Sequence, residues 1–267
     1  MQKLLQLTIL TLFLASCSTA DLSSPAAMQE DQGKGRAILQ KAMIAHGAQK
    51  WDSIQTYEAI FRDEFYGMVG KMASNFSGNP VKVSLKYIPK TQTAQAKFLH
   101  EDMKNEVWGI LDGKPYAYDK EDQVAFEEDF KKKFWLPTYQ YFIEFPARIL
   151  EANVIRYMGQ EKIKEEAYDK VFASWNKVEP QDDVDQYVVW VHPKTHQIKK
   201  IAYTIREANN WVTGHASLEN FKTYNGMLFP GDMLVGSSLL KEGKLLHKMS
   251  IDEVTFNSFP QSDLMNP

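Results

Sequence analysis

Leu39, Ala42, Met43 and His46 recur at i, i+3, i+4 and i+7, which lays one largely apolar stripe along a helix. Gly47 follows where a left-handed residue ends such a helix, and Trp51 is placed to pack beneath that end. From there the period changes to two. Val81, Val83, Leu85 and Tyr87 alternate with Lys82, Ser84 and Lys86, the pattern of a half-buried strand. Tyr57, Ala59 and Phe61 predict a strand before it, and Ala94, Ala96 and Phe98 one after it. Trp108 to Leu111 and Tyr116 to Tyr118 flank Asp112-Gly113, a strong hairpin signal. The first half therefore reads as a helix followed by five or six antiparallel strands.

The middle changes character. Phe134, Trp135, Tyr139, Tyr141, Phe142 and Phe145 crowd together between and around Pro137 and Pro146. A proline inside a helix removes a backbone donor and kinks it, so this stretch predicts two short helices or a helix and a turn. A second run of strands begins at about Tyr168. Tyr187 to His192 and Ile198 to Arg206 enclose the turn Pro193-Lys194-Thr195-His196; His215 to Phe221, Asp232 to Leu240 and Lys244 to Phe256 continue the series. Asn225-Gly226 and Glu242-Gly243 supply turns. Strands that recur without alternating helices point to an antiparallel, meandering sheet in an α+β, mostly β chain. No composition break divides residues 34–267, which read as a single domain.

The N-terminus carries a different signal. Lys3 precedes the uncharged run Leu4 to Leu14, too short for the ~20 apolar residues of a membrane span but of signal-peptide length. Leu14-Ala15-Ser16-Cys17 resembles the bacterial lipobox, which implies a leader over residues 1–16 and a lipid on Cys17; an ordinary leader with a chance Cys is the plainer alternative. Cys17 is the only cysteine, so an exported domain would be built without disulfides, and a lipid thioether would leave no reactive thiol. Ser18 in place of Asp implies the outer membrane by the same resemblance. Residues 17–33 are rich in Ser, Ala, Asp and Gln and predict a flexible tether.

Composition narrows the function. A net charge of −3 with 24% charged residues offers no concentrated basic surface, so nucleic acid is not an expected partner. The chain holds no G-x-S-x-G, phosphate loop, G-x-G-x-x-G or H-E-x-x-H, and neither a catalytic residue, a cofactor nor a metal site is assigned. His192 and His196 have the spacing of a zinc helix, but Pro193 sets them across a turn. Doublets such as Asp63-Glu64 point to opposite faces of a strand and make poor acid/base pairs. What stands out is the 12% aromatic content and strands that are apolar on both faces, as where Val188 and Trp190 oppose Tyr187, Val189 and Val191. That pattern fits either an apolar pocket under the Trp135 to Phe145 segment or a core filled solid.

The order of these segments, with Ala45-His46-Gly47, Trp51, Tyr168-Asp169-Lys170-Val171, Asp185-Gln186-Tyr187, Pro193-Lys194-Thr195 and Tyr224 to Pro230, resembles the Lol-type lipoprotein carrier superfamily. More narrowly it resembles envelope lipoproteins known only as a domain of unknown function. The resemblance implies an unclosed antiparallel half-barrel of about eleven strands with helices covering the concave side, and fold alone does not settle function. It implies a membrane-anchored protein whose ligand is a lipid or a lipoprotein acyl moiety. Trp135, Tyr139, Phe142 and Trp190 are the residues expected to line the pocket. An envelope interaction or stress-sensing module, and a hydrolase of envelope glycans or esters, are the alternatives.

Overall fold

The computed structural model describes residues 19–24, 32–74, 76, 78–100, 106–118 and 123–267; the expected leader and lipid-bearing Cys17 lie outside them. Helix α1 (Gln32–Ala45) ends where Gly47 takes φ 65°, and a 3-10 turn (Ala48–Ser53) buries Trp51. A Cβ at Gly47 would sit 2.5 Å from the Gly226 carbonyl oxygen, so both conformation and crowding require glycine there. Strand β1 (Tyr57–Phe65) leads through the short helix α2 (Gly67–Ala73) into the meander β2 (Val81–Tyr87), β3 (Ala94–Phe98), β4 (Val107–Leu111), β5 (Lys114–Tyr118) and β6 (Val124–Phe126). Helix α3 (Phe130–Arg148) and a 3-10 turn (Ile149–Glu151) cross to the second meander. This comprises β7 (Val154–Ile163), β8 (Glu166–Ser174), β9 (Tyr187–Val191), β10 (Ile198–Ile205) and β11 (Asn209–Glu219). A hairpin, β12 (Lys222–Tyr224) with β13 (Met227–Phe229), then precedes β14 (Asp232–Ser237), β15 (His247–Phe256) and the last turn α4 (Ser262–Met265).

Thirteen strands form one sheet in the order β6-β5-β4-β3-β2-β1-β15-β14-β11-β10-β9-β8-β7, and β12–β13 stand apart. All paired neighbours are antiparallel. The two meanders join at the centre, where β1 pairs with β15 from Tyr57↔Phe256 to Phe65↔His247. The sheet's edges, β6 and β7, are not paired with each other, so it does not close into a barrel. The expected half-barrel is present, with two more strands than anticipated.

Three local expectations are corrected. The second run of strands begins at Val154, not near Tyr168. Gly159 adopts φ 83° and the β7–β8 register slips between Tyr157 and Gln160, so a bulge interrupts the alternation that would have announced β7. Helix α3 is one continuous element despite Pro137 and Pro146. Pro146 falls in its last turn, and neighbouring carbonyls find side-chain donors: Thr138 Oγ1 donates to Phe134 O at 2.6 Å and Tyr87 Oη to Leu136 O at 2.9 Å. Burial of nine of its side chains outweighs the proline penalty, ~3 kcal/mol in a helix interior. Finally, the described part of the tether is docked. Ala20 N donates to Asn210 O (2.7 Å), Leu22 N to Gln186 Oε1 (2.8 Å), and Ser23 is buried.

The main core lies between the sheet and helices α1 and α3, with Tyr57, Phe61, Leu85, Tyr87, Leu136 and Phe145 fully buried. On the outer face of β7–β9 sits a second cluster of Val154, Met158, Tyr168, Phe172, Val188 and Trp190, covered in part by Leu22 and Val178. This explains why β9 is buried at every position.

Candidate functional site

Because α3 crosses the sheet obliquely, its aromatic residues meet different strands along its length. Trp135 packs edge-on to Phe65 of β1 at 5.8 Å, while Phe142 packs edge-on to Tyr203 of β10 at 5.2 Å. Between those contacts α3 stands clear of β11 and β14, leaving a cavity of about 480 Å³, within the range of small-molecule pockets, ~300–1,000 Å³. Phe134, Trp135 and Phe142 form its helical wall, and Tyr203, Val212 and Val235 part of its sheet wall. Gly214 also lines it: a Cβ there would lie 2.5 Å from the Tyr203 ring, so the missing side chain lets that ring lie across β11. An open pocket thus lies beside the packed core.

Of the four residues expected to line a pocket, Trp135 and Phe142 do so. Tyr139 points instead into the core, packing on Phe61 at 4.6 Å and donating its hydroxyl to Asp63 Oδ2 at 2.8 Å. Trp190 lies on the outer face. Tyr187, Val189 and Val191 take the covered face of β9, so the intervening Trp190 must point the other way, between Lys170 Nζ (5.3 Å) and Lys200 Nζ (4.8 Å). The two-sided apolarity of this strand was legible, but which face carried the hollow was not.

The cavity's polar wall was not legible in the residue pattern. His247 lines it with its ring stacked on Phe65 (centroids 5.0 Å, 5° between planes) and edge-on to Trp135 (5.9 Å). Its Nδ1 lies 2.7 Å from Oδ1 of Asp63, whose other oxygen accepts from Tyr139. Asp63 is 1% exposed, so a buried carboxylate is satisfied by an imidazole and a phenol. As expected, Asp63 and Glu64 diverge: Glu64 instead accepts from the Tyr66 hydroxyl at 2.9 Å. Trp135 Nε1 is buried without a partner, leaving an indole donor unused on a cavity-lining residue. Asp185 and Glu207 also line the cavity, and burial raises the pKa of both. Asp185 is held by Thr204 Oγ1 (2.8 Å) and Arg206 N (2.9 Å).

An Asp–His pair resembles part of a hydrolytic relay, which also needs a nucleophile bonded to the imidazole. Ser237 lines the same cavity, but its Oγ accepts from Leu239 N at 3.2 Å, and among the described residues no hydroxyl bonds to His247 Nε2. His192 closes its own turn, its Nδ1 accepting from Lys194 N (3.2 Å) and Thr195 N (3.0 Å). No group of three or more His, Cys, Asp or Glu among the described residues is arranged to hold a metal ion. No helix among them is long and apolar enough to cross a membrane.

No family model and no curated relative matches the chain. Among solved structures, it is similar to a domain from Vibrio parahaemolyticus assigned to outer membrane lipoprotein sorting, at 12% identity and a TM-score of 0.56, covering 88% of this chain and 97% of that one. A LolA superfamily protein from Nitrosomonas europaea aligns at 10% identity and a TM-score of 0.49 over 86% of this chain and 96% of its own. A DUF1329 family protein from Desulfovibrio piger aligns at 12% identity and a TM-score of 0.45 over 86% and 96%. The chain thus shares the fold of the Vibrio parahaemolyticus domain, and at 12% identity the likeness is one of fold alone.

Proposed function

We propose that this protein binds an acyl chain of a lipid or lipoprotein non-covalently in the cavity beneath α3, while a lipid on Cys17 holds it at the outer membrane. The observation carrying the reading is the hollow itself: about 480 Å³, walled mainly by aromatic and aliphatic side chains. An acyl chain gains about 0.8 kcal/mol per buried CH₂, so ten methylenes supply ~8 kcal/mol against the cost of association. Trp135 Nε1 and His247 Nε2 would then meet the few polar atoms of the ligand, an ester or carboxyl group. Fold likeness to a sorting domain agrees with this reading without establishing it.

Native mass spectrometry of the purified full chain should reveal co-purifying lipid, and the delipidated protein should take up a fluorescent fatty acid. Val212→Phe, which puts a larger side chain on the cavity wall, should weaken uptake at least tenfold while the fold is retained by circular dichroism. Protein free of lipid and indifferent to the probe would refute the proposal.

A further inference from the structure

The cavity reaches the surface at Phe130 and Leu239, which line it and are exposed, beside the end of the sheet where β1, β10 and β14 finish and β11 and β15 begin. Large apolar side chains stand exposed around that mouth. Met68 and Met72 of α2 are each 78% exposed, Phe130 is 56%, and Trp211 and Leu239 are 49%. They account for five of the nine large hydrophobic residues exposed among the described residues, a concentration that singly scattered surface residues would not show.

Hydrogen bonds join the carriers of Met68, Met72, Leu239 and Trp211 into one rim. Tyr66 N, at the start of α2, donates to Leu246 O (2.9 Å) on the β14–β15 connection. That connection carries Leu239 and is tied to β11 beside Trp211 by Ser238 N to Thr213 O (2.9 Å) and Thr213 N to Ser238 Oγ (3.0 Å). Phe130 and Leu239 both line the cavity they border.

The chain's own path says what covers this rim. Ala20 N donates to Asn210 O, the residue before Trp211, and Ala20 O accepts from Arg206 Nη2. Cys17 precedes Ala20 by three residues, at most about 11 Å of extended chain. A lipid on Cys17 would therefore enter its membrane beside Trp211. Lys71, Lys241 and Lys244 are exposed on the same elements, with Glu242 between the last two, and such side chains suit the phosphate layer of a bilayer.

We infer that the apolar rim docks onto the phospholipid surface that holds the anchor, so that the cavity mouth opens into the outer acyl layer instead of into water. Ligand then passes between leaflet and cavity without crossing the aqueous phase. The inference rests on the cavity reading and on acylation of Cys17, and it extends both by naming the surface the mouth faces.

The test uses the acylated full chain reconstituted into phosphatidylcholine vesicles containing lipids brominated on their acyl chains. Bromine should quench tryptophan fluorescence in the wild type. Trp211→Phe should remove at least half of that quenching, and Trp190→Phe, on the sheathed outer cluster, should leave it unchanged. In a Cys17→Ala background, replacing Met68, Met72, Trp211 and Leu239 by Ser should lower vesicle binding at least fivefold. Equal quenching in wild type and Trp211→Phe would overturn the inference, as would vesicle binding indifferent to the four Ser substitutions. So would a Trp211 that only an added protein, and never brominated lipid, can shield. Intact mass lacking the acyl increment would remove the anchor premise, and the inference with it. Loss of co-purifying lipid from an otherwise docked protein would instead count against the cavity reading alone.

Discussion

Acid should loosen this fold in part through His46. It is 2% exposed at the end of α1, where Nε2 accepts from Ile198 N (3.1 Å) and Nδ1 faces Leu228 O (3.1 Å). A backbone N–H on one side and a carbonyl on the other require the neutral tautomer with its proton on Nδ1. Burial lowers the pKa of His46, and the bond to Leu228 only partly opposes this. Adding a proton would set Nε2–H against Ile198 N–H, two donors with no acceptor between them. Below the ordinary value of 6.5 the unfolded chain takes up a proton that the native chain refuses. The unfolded state then binds more protons, so stability falls as pH falls through that window, by at most about 1.4 kcal/mol per pH unit. Urea unfolding of wild type and His46→Gln, measured at about pH 7.5, 6.5 and 5.5, isolates the effect. The wild type's lead over the variant should shrink toward the acid end. A lead that stays constant, or that grows with acid, would refute this account of the histidine.

Two further perturbations probe the buried polar groups. Tyr139→Phe keeps the ring on Phe61 but removes a hydroxyl from the Asp63 carboxylate; we expect a loss of ~1.5–3 kcal/mol in urea with an unchanged m-value, and a loss under ~0.5 kcal/mol would show that the carboxylate does not need this donor. Glu144 accepts from Tyr57 Oη (3.1 Å), Gln140 Nε2 (2.9 Å) and Lys90 N (3.1 Å), yet burial raises its pKa above the ordinary 4.5. Its native form thus holds a proton longer than its unfolded form, and its contribution to stability declines as pH rises above that value. The stability of Glu144→Gln relative to wild type should accordingly increase between about pH 4 and pH 7; a flat difference in thermal unfolding would contradict the burial argument.

Pattern in the chain located most of the sheet because strands with one face inward alternate cleanly, as β1 does. It failed where something local disturbed that alternation, the bulge at Gly159, or where tertiary burial overrode a local rule, as in the proline-bearing α3. The candidate site was half legible. Aromatic density pointed to α3, and Trp135 and Phe142 do reach the cavity. Asp63 and His247 come from strands at the two ends of the chain and meet only because β1 and β15 pair. Nothing in the spacing of 184 residues between them signals that contact. Trp190 was misplaced because an uninterrupted apolar strand does not reveal which face is which.

The pairing of β1 with β15 at the middle of the sheet has a consequence for how the molecule matures. Neither meander can complete its half of the sheet alone, since each lacks the neighbour that satisfies its innermost strand. The seam must wait until β15, the last of the described strands, has been made, and long-separated partners are slow to find one another. Until β15 is made, the facing edges of β1 and β14 stay without the neighbour that pairs with both.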